Sequence, residues 1–542
     1  MCSSSVCTTL RPTYLGTGED AYGVLPTYRD YIQALCARNP SLKTLHSFLT
    51  NPKTRKNGCQ ATALDFRLGT SNPDCRQVSD PDYFIYEIRP KTEGEHLASE
   101  RRIQGRILII EDLTAETVQL LGSELDLDPL FLATHLHTVH RTGMQYQTPD
   151  DATLPSRLIG RDYMNVSYHQ PVTSDTAYPS GSRYSLDSAI DRKLVFIRST
   201  SIGLAQRRVS IIKLRQSQDF WLCLILVDPP LGNTYFRSAH KDDPEHKVNL
   251  KLNPYLGTYE NFMELPKFSS SEAWCHWKGS IRRGMLDDIV GYWMTALPEC
   301  FDAVDPSIQS LAYYPLKIVA AEWVKYIAIM QHCIKMYEYE GSQLDLDKFN
   351  MDLRELQGWR RRSMISQRKL RTVIRHLELH SSPNPQHVAS IKGVLEDYTL
   401  IHSDIEDAGR RLENMLPVVT SLVQIIDARQ SFAETANISR LTILALVFVP
   451  LSFVSSLFSM NSETMPGSDH FWVYFAVAIP VTLGVFLIAR PPTSEDLRQI
   501  SSWASGSFKR RRRSPTLATG DELMIEKSKA DWAIVRSQTM RR

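Results

Sequence analysis

Two runs near the C-terminus carry no charged residue. Leu441–Phe458 reads LTILALVFVPLSFVSSLF and Phe471–Ala489 reads FWVYFAVAIPVTLGVFLIA. As helices these runs span about 27–29 Å, close to the ~30 Å hydrocarbon thickness of a bilayer. A pair of core helices in a large soluble protein is the alternative, but uncharged runs of this length are the usual membrane signal. Each run holds a proline, Pro450 and Pro480. Membrane helices tolerate proline, because neighbouring groups re-satisfy the carbonyl it frees.

The connection between the runs, Asn461–His470 (NSETMPGSDH), has no Lys or Arg. The outer flanks do: Arg429, Arg440 and Arg490, then Lys509–Arg513. The positive-inside rule therefore places both termini in the cytosol and the short loop outside, as expected of a multi-pass integral membrane protein. The segment 490–542 holds 12 Lys+Arg and 6 Asp+Glu, and its basic cluster suits anionic headgroups or a solvated tail equally. The first residues, MCSSSVCTTLRPTYLGTGED, lack the apolar core of a secretory signal. The 9 cysteines include no C-x-x-C pair, so no disulfide framework or zinc knuckle is signalled. With 62 Lys+Arg against 60 Asp+Glu, the chain lacks the charge of a dedicated nucleic-acid binder. No phosphate-binding glycine loop, H-E-x-x-H or G-x-S-x-G motif occurs, so no enzyme chemistry or cofactor is expected.

A hairpin of two helices encloses no pore, so it either anchors a cytosolic domain or assembles in several copies. Ser452, Ser456 and Ser459 share one helical face of the first run, and Val449, Ala445, Leu441 and Ile438 continue it toward the cytosol. The face is hydroxyl-lined at the outer end and apolar at the inner end. Asn461 stands at the outer mouth, beside an acidic loop carrying Glu463 and Asp469. Such a face can line an ion path, with the amide holding a hydrated cation and the apolar stretch gating by dewetting. The serines can equally serve close helix packing.

Pro450–Asn461, PLSFVSSLFSMN, resembles the end of the pore helix in CorA-type magnesium transporters, in their divergent, fungal-type form. The match lies in Pro450, Leu451, Phe453, Met460, Asn461 and the loop pair Met465-Pro466, with Leu441-Thr442-Ile443 at the start of the span. Ser459 stands where that family has glycine, Phe458 where it has tyrosine, and Gly467 where an acid follows Met-Pro. The resemblance implies a homopentamer moving divalent cations, Mg2+ foremost, down the electrochemical gradient. Asn461, Met460 and Ser459 would form the mouth, and Ser452, Ser456, Val449, Leu441 and Ile438 the lining. The other reading is a two-span scaffold or sensor that keeps the fold without conducting. Partners on the transport reading are other copies of the chain, lipid and the cation itself.

The fold class expected is an α+β cytosolic domain, a long helical stalk and two C-terminal transmembrane helices. The divisions are 1–310 (mixed α/β), 311–440 (helical bundle and stalk), 441–460 (first span), 461–470 (outer loop), 471–489 (second span) and 490–542 (basic tail). Ile391, Leu395, Tyr398, Ile405, Ala408, Leu412, Met415, Val419, Leu422 and Ile426 form a coiled-coil-like seam that runs into the first span; the resemblance implies a stalk helix packed among five copies, and a helical bundle within one chain is the alternative. Pro417 is a candidate kink. Helices are expected at Leu316–Glu340 and Leu344–Leu379, the second carrying Trp359-Arg360-Arg361-Arg362, which reads as a solvated face or a phosphate contact. Strands are expected at Tyr83–Arg89, Arg106–Glu111, Lys193–Arg198, Arg208–Leu214 and Phe220–Val227, helices at Ala115–Leu125 and Pro129–His137, and a loop at Val172–Ser188. Ala133 and Thr134 occupy positions where the resemblance implies a magnesium-sensing acid. His135, His137 and His140 read as surface histidines rather than metal ligands. Asp126 and Asp128 signal nothing by spacing alone.

Overall fold

The computed structural model describes residues 26–52, 59–70, 72–78, 87–88, 103–137, 154, 161–176, 178, 183–197, 200–217, 220–238, 246–255, 267–269, 284–340, 346–379, 385–460 and 472–489. The chain divides into two compact units, Met1–Val419 and Thr420–Arg542.

The first unit opens with α1 (Tyr28–Cys36) and α2 (Lys43–Thr50), followed by β1 (Gln60–Arg67), β2 (Asp74–Val78), β3 (Ile103–Glu111), α3 (Ala115–Leu125) and α4 (Pro129–Leu136). Eight further strands follow: β4 (Tyr163–Ser174), β5 (Arg183–Leu186), β6 (Lys193–Phe196), β7 (Ile202–Ser217), β8 (Phe220–Val227), β9 (Thr234–Ser238), β10 (His246–Asn249) and β11 (Leu252–Pro254). Helices α5 (Met285–Thr295), α6 (Ile308–Leu311), α7 (Tyr313–Glu340), α8 (Leu346–Leu379) and α9 (Pro385–Phe458) complete the series, and α9 continues into the second unit.

The sheet runs β10-β9-β5-β6-β7-β8-β3-β1-β2, with β4 on β7 and β11 on β4. Only β3 and β8 pair in parallel; the other described pairs are antiparallel. These two central strands are near-continuous apolar runs because both their faces are covered. Leu108, Ile110, Leu222, Leu224 and Leu226 pack under α1–α4. Ile107, Ile109, Cys223, Ile225 and Val227 face the core built with α5–α9. Strand alternation thus makes a helix–sheet–helix sandwich. Gly105 sits where β3 meets the Trp221 ring: a Cβ there would lie 1.9 Å from a ring carbon.

Local chemistry sets the helix ends. Thr27 and Asp30 form a capping box on α1. Asp126 ends α3 in the left-handed region (φ 48°), and Asp128 caps α4 by accepting from the Leu130 amide at 2.9 Å. Both aspartates therefore reverse the chain between α3 and α4. Arg106 is buried between Asp65 (2.5 Å) and Glu87 (2.5 Å), and Arg76 also pairs with Glu87 (2.5 Å). Arg106 is buried and Arg76 is half-exposed at the margin, so the second guanidinium balances the two buried carboxylates from the solvent side.

Several expectations change. Of the strand expected at Tyr83–Arg89, the described residues Glu87 and Ile88 are helical, and the Glu87 carboxylate is taken up by the two arginines. The loop expected at Val172–Ser188 contains the end of β4 and all of β5. Its Val172, Tyr184 and Leu186 join Phe196 and Tyr235 in a satellite core, because β-branched and aromatic residues suit a half-buried pleat. For the first part of the seam, the structure shows the alternative of a bundle within one chain. Ile391, Tyr398, Ile405, Ala408 and Leu412 are buried within their own chain, in the core that holds Trp323, Tyr326 and Trp359. Tyr398 donates to the Leu316 carbonyl (3.0 Å) and Ser363 to that of Ile405 (3.1 Å). Gly409 admits Ser363 where a Cβ would stand 2.5 Å from Oγ. This stretch therefore needs no second copy. Beyond it, Val418, Ile425 and Phe432 are exposed at seven-residue spacing. α9 stays helical through Pro417 and is 74 residues long.

In the second unit, Asp427–Phe458 is the one described helix long and apolar enough to cross a membrane. The second expected span forms α10 (Trp472–Ala489), whose apolar part Trp472–Phe486 is shorter.

Candidate functional site

The end of α9 and α10 form an apolar hairpin with one internal contact face. Pro450 and Val454 are buried, and so is Ala478 on α10. Phe458 meets Tyr474 edge-on, with ring centroids 6.0 Å apart. Pro450, Val454 and Phe458 recur every fourth residue, so a single stripe of α9 carries the contact.

At 100° per residue, the face carrying Ser452, Ser456 and Ser459 lies roughly opposite that stripe. Val449 (64%), Leu441 (69%) and Ile438 (64%) continue this face and are exposed. Met460, just past the C-terminal end of α9, is 86% exposed. The hairpin thus leaves the residues expected to line an ion path uncovered.

The hydroxyls on this face are held by their own helix. Ser452 donates to the Val449 carbonyl (3.0 Å) and Ser459 to that of Ser456 (3.3 Å). With the proton directed back into the helix, each oxygen presents lone pairs outward, as an acceptor for a cation's water shell. Thr442, one turn above Ile438, donates to the Ile438 carbonyl in the same way (2.8 Å). Asn461, Glu463 and Asp469 lie outside the described residues, as do the loop 461–470 and the tail 490–542.

The sequence pattern marks the serine face but not the contact stripe. Pro450, Val454 and Phe458 sit among apolar neighbours on every side, so composition does not mark them. Their i, i+4, i+8 spacing is the only available signal.

The other candidates have structural places. His135 and His137 are buried, contrary to the surface expectation, because α4 is packed under the sheet. Nδ1 of His135 is 2.8 Å from Ser210 Oγ. Burial, reinforced by Arg192, pushes the imidazole down to about 3, so it stays neutral. His140 lies outside the described residues, and among those residues no group of His, Cys, Asp or Glu is arranged to hold a metal. Ala133 and Thr134 are buried. Trp359 is fully buried; Arg362 stacks over its ring at 4.9 Å and pairs with Glu355, while Arg360 reaches Glu413 at 3.3 Å. At the end of β3, burial and then the charges of Asp287 and Asp112 raise the Glu111 carboxyl to about 7, against the pull of Arg207.

Residues 316–490 match the model of the CorA-like Mg2+ transporter protein family. Among solved structures, the chain is similar to the complete CorA magnesium transporter from Methanocaldococcus jannaschii, at 10% identity and a TM-score of 0.37, covering 81% of this chain and 99% of that one. It is also similar to the full-length CmaX protein, at 13% identity and a TM-score of 0.38, with 81% and 99% covered. No curated protein matches the chain.

Proposed function

We propose that this chain, whose residues 316–490 carry the CorA-like match, is one subunit of a membrane channel for divalent cations, with Mg2+ as cargo. On this reading the last part of α9 and α10 both cross the bilayer, and both termini lie in the cytosol. Five copies surround an axis and turn the serine face inward. The observation that supports the reading is the division of α9 into two opposite faces. One is consumed by α10, and the other is hydroxylated outside and apolar inside, yet uncovered in a single chain.

Each residue type has a physical task in this scheme. Glu463 and Asp469 raise the local cation concentration at the mouth. Asn461, flanked by Met460 and Ser459, receives the hydrated ion through its amide. Ser452 and Ser456 accept hydrogen bonds from the ion's water as it descends. Val449, Leu441 and Ile438 form a constriction that excludes ions when it dries. The membrane potential then does the work, since two charges move together across the field.

A second reading keeps the fold without conduction. Ser459 in place of glycine adds a Cβ and a hydroxyl at the crowded mouth, and the buried Ala133 and Thr134 supply no sensing acid.

The deciding experiment is Mg2+ flux into proteoliposomes under an imposed potential. Asn461→Leu removes two hydrogen-bonding groups from the path and is expected to cut flux about five- to over a hundredfold. Ser459→Gly is expected to leave flux unchanged or raise it. No flux in any of the three proteins means the scaffold reading is correct. Equal, substantial flux through wild type and Asn461→Leu removes Asn461 from the mechanism.

A further inference from the structure

The parallel strands β3 and β8 end side by side, and three acids follow there: Glu111, Asp112 and Asp228. Two of them are anchored. Asp112, in the left-handed region (φ 56°), accepts from the Ala189 amide (3.0 Å). Asp228 pairs with Arg192 (2.9 Å) and accepts from the Arg208 amide (2.7 Å). Glu111 differs. It is 8% exposed, and among the described residues no hydrogen bond or ion pair reaches its carboxylate. Arg207, the cation that acts on it, donates instead to the Gln170 side chain (3.0 Å) and the Pro229 carbonyl (2.8 Å).

Gly284, at the start of α5, lies against this carboxyl. A Cβ there would stand 3.7 Å from Oε2 of Glu111 and 3.2 Å from Pro230. No side chain caps α5, and its first turn carries Asp287, which is exposed, and Asp288, which is buried. Those two charges already answer the helix dipole, so a third anion at this end adds repulsion. The charged groups around Glu111 are thus Asp287 and Asp288 on α5, Asp112 beyond β3, Asp228 beyond β8 and Arg207 on β7. Cys59, ahead of β1, stays neutral, its thiol pushed up to about 12 by burial. The far end of α5 is held separately: Tyr292 stacks on Tyr314 (5.3 Å between centroids, 14° between planes), and the Tyr314 hydroxyl donates to the Ala296 carbonyl (2.7 Å). The helix is therefore fixed at its C-terminal end and closed at its start over an acid with no partner.

We infer that Glu111 is a proton-operated latch on the first turn of α5. Protonated, the carboxyl stays seated against Gly284. Ionised, it is a buried charge without a partner and opposes Asp287, so the first turn lifts and water reaches the carboxylate. Burial, then Asp287, holds the seated carboxyl at about 7; lifted, it returns to its ordinary 4.5. The advantage of the seated form is full below pH 4.5, shrinks as the pH rises to about 7 and shrinks no further above that. Acidification closes the latch. The inference is independent of whether the hairpin conducts.

The test is amide hydrogen exchange of the full chain in neutral-lipid nanodiscs, read on peptic fragments that cover Asp288, Ile289 and Val290 and corrected for the intrinsic rate at each pH. Protection of this turn is expected to fall at least about tenfold from about pH 5.5 to about pH 7.5 in wild type, and by less than about twofold in Glu111→Gln. Asp287→Asn, at an exposed position, should shrink the fall without abolishing it. Because the opening is local, low urea should leave this exchange unchanged while it speeds exchange in β8. Wild-type protection that does not change with pH, or a Glu111→Gln protein whose protection falls as far as wild type, overturns the proposal. So does urea that acts on α5 as strongly as on β8, since the opening is then global.

Discussion

Replacing Glu111 with glutamine should stabilise the protein, and only on the alkaline side. Glu111 ends β3, at the margin of the core beneath α5, and is 8% exposed. Burial and the neighbouring Asp287 and Asp112 move its carboxyl from 4.5 to about 7. The native state therefore holds the proton across a range in which the unfolded chain has released it. Stability contributed by this group is full below pH 4.5, falls as the pH rises to about 7, and stays low above that. At 1.36 kcal/mol per pH unit, the ionised form costs the native state about 3 kcal/mol. Glu111→Gln keeps the shape and removes the charge. At about pH 8 the variant should exceed wild type by up to about 3 kcal/mol, a rise of a few degrees in melting temperature. Near the acid limit the two should coincide. Thermal unfolding in detergent at both pH values, followed by the fluorescence of Trp221 and Trp293 in the adjoining core, measures the difference. Equal melting at both pH values, or a gap that widens toward acid, would refute the assignment of burial and like charge as the cause.

Gly105→Ala puts a Cβ 1.9 Å from the Trp221 ring, so the protein should lose at least about 1–3 kcal/mol and melt lower. Melting within a degree of wild type would mean β3 and Trp221 are not in close contact. Cysteines at Ser462 and Ser468 should react with an impermeant thiol reagent applied outside intact cells, and one at Ser514 should not. Labelling at Ser514 alone reverses the sidedness inferred from the arginines.

What the sequence disclosed follows from which physical signals are local. The core strands β3 and β8 are legible because burial on both faces leaves unbroken apolar runs. The helix expected at Ala115–Leu125 has those bounds in the structure, where Thr114 caps its start and Asp126 ends it in the left-handed region. The helices α7, α8 and α9 follow from apolar residues every three or four positions. Periodicity, however, states that a face is buried and not what covers it. Ile391 to Leu412 fits an interface between copies and a bundle within one chain equally by pattern, and Trp323, Tyr326 and Trp359 of the same chain share its core. In the hairpin the difficulty is sharper, because lipid and protein interior are equally apolar. Only the serines break that symmetry, which is why the serine face was legible and the Pro450–Val454–Phe458 stripe was not. The polar short strands β5, β9 and β10 carry little pattern of their own and take their form from pairing across the sheet.

The parallel pairing of β3 with β8 also bears on how the chain is made. Gly105 pairs with Trp221, so the central ladder joins segments 116 residues apart. At ~5–20 residues per second, β3 emerges from the ribosome about 6–23 seconds before its neighbour exists. During that interval Ile107, Leu108, Ile109 and Ile110 form an apolar strand with one edge open. Such an edge recruits any other strand within reach, another nascent copy included. Pairing with β1 covers the far edge of β3 and leaves the edge that awaits β8 open. Production of this protein should therefore depend on chaperones that bind extended apolar segments, and slowing translation between β3 and β8 should raise aggregation more than slowing it after Val227.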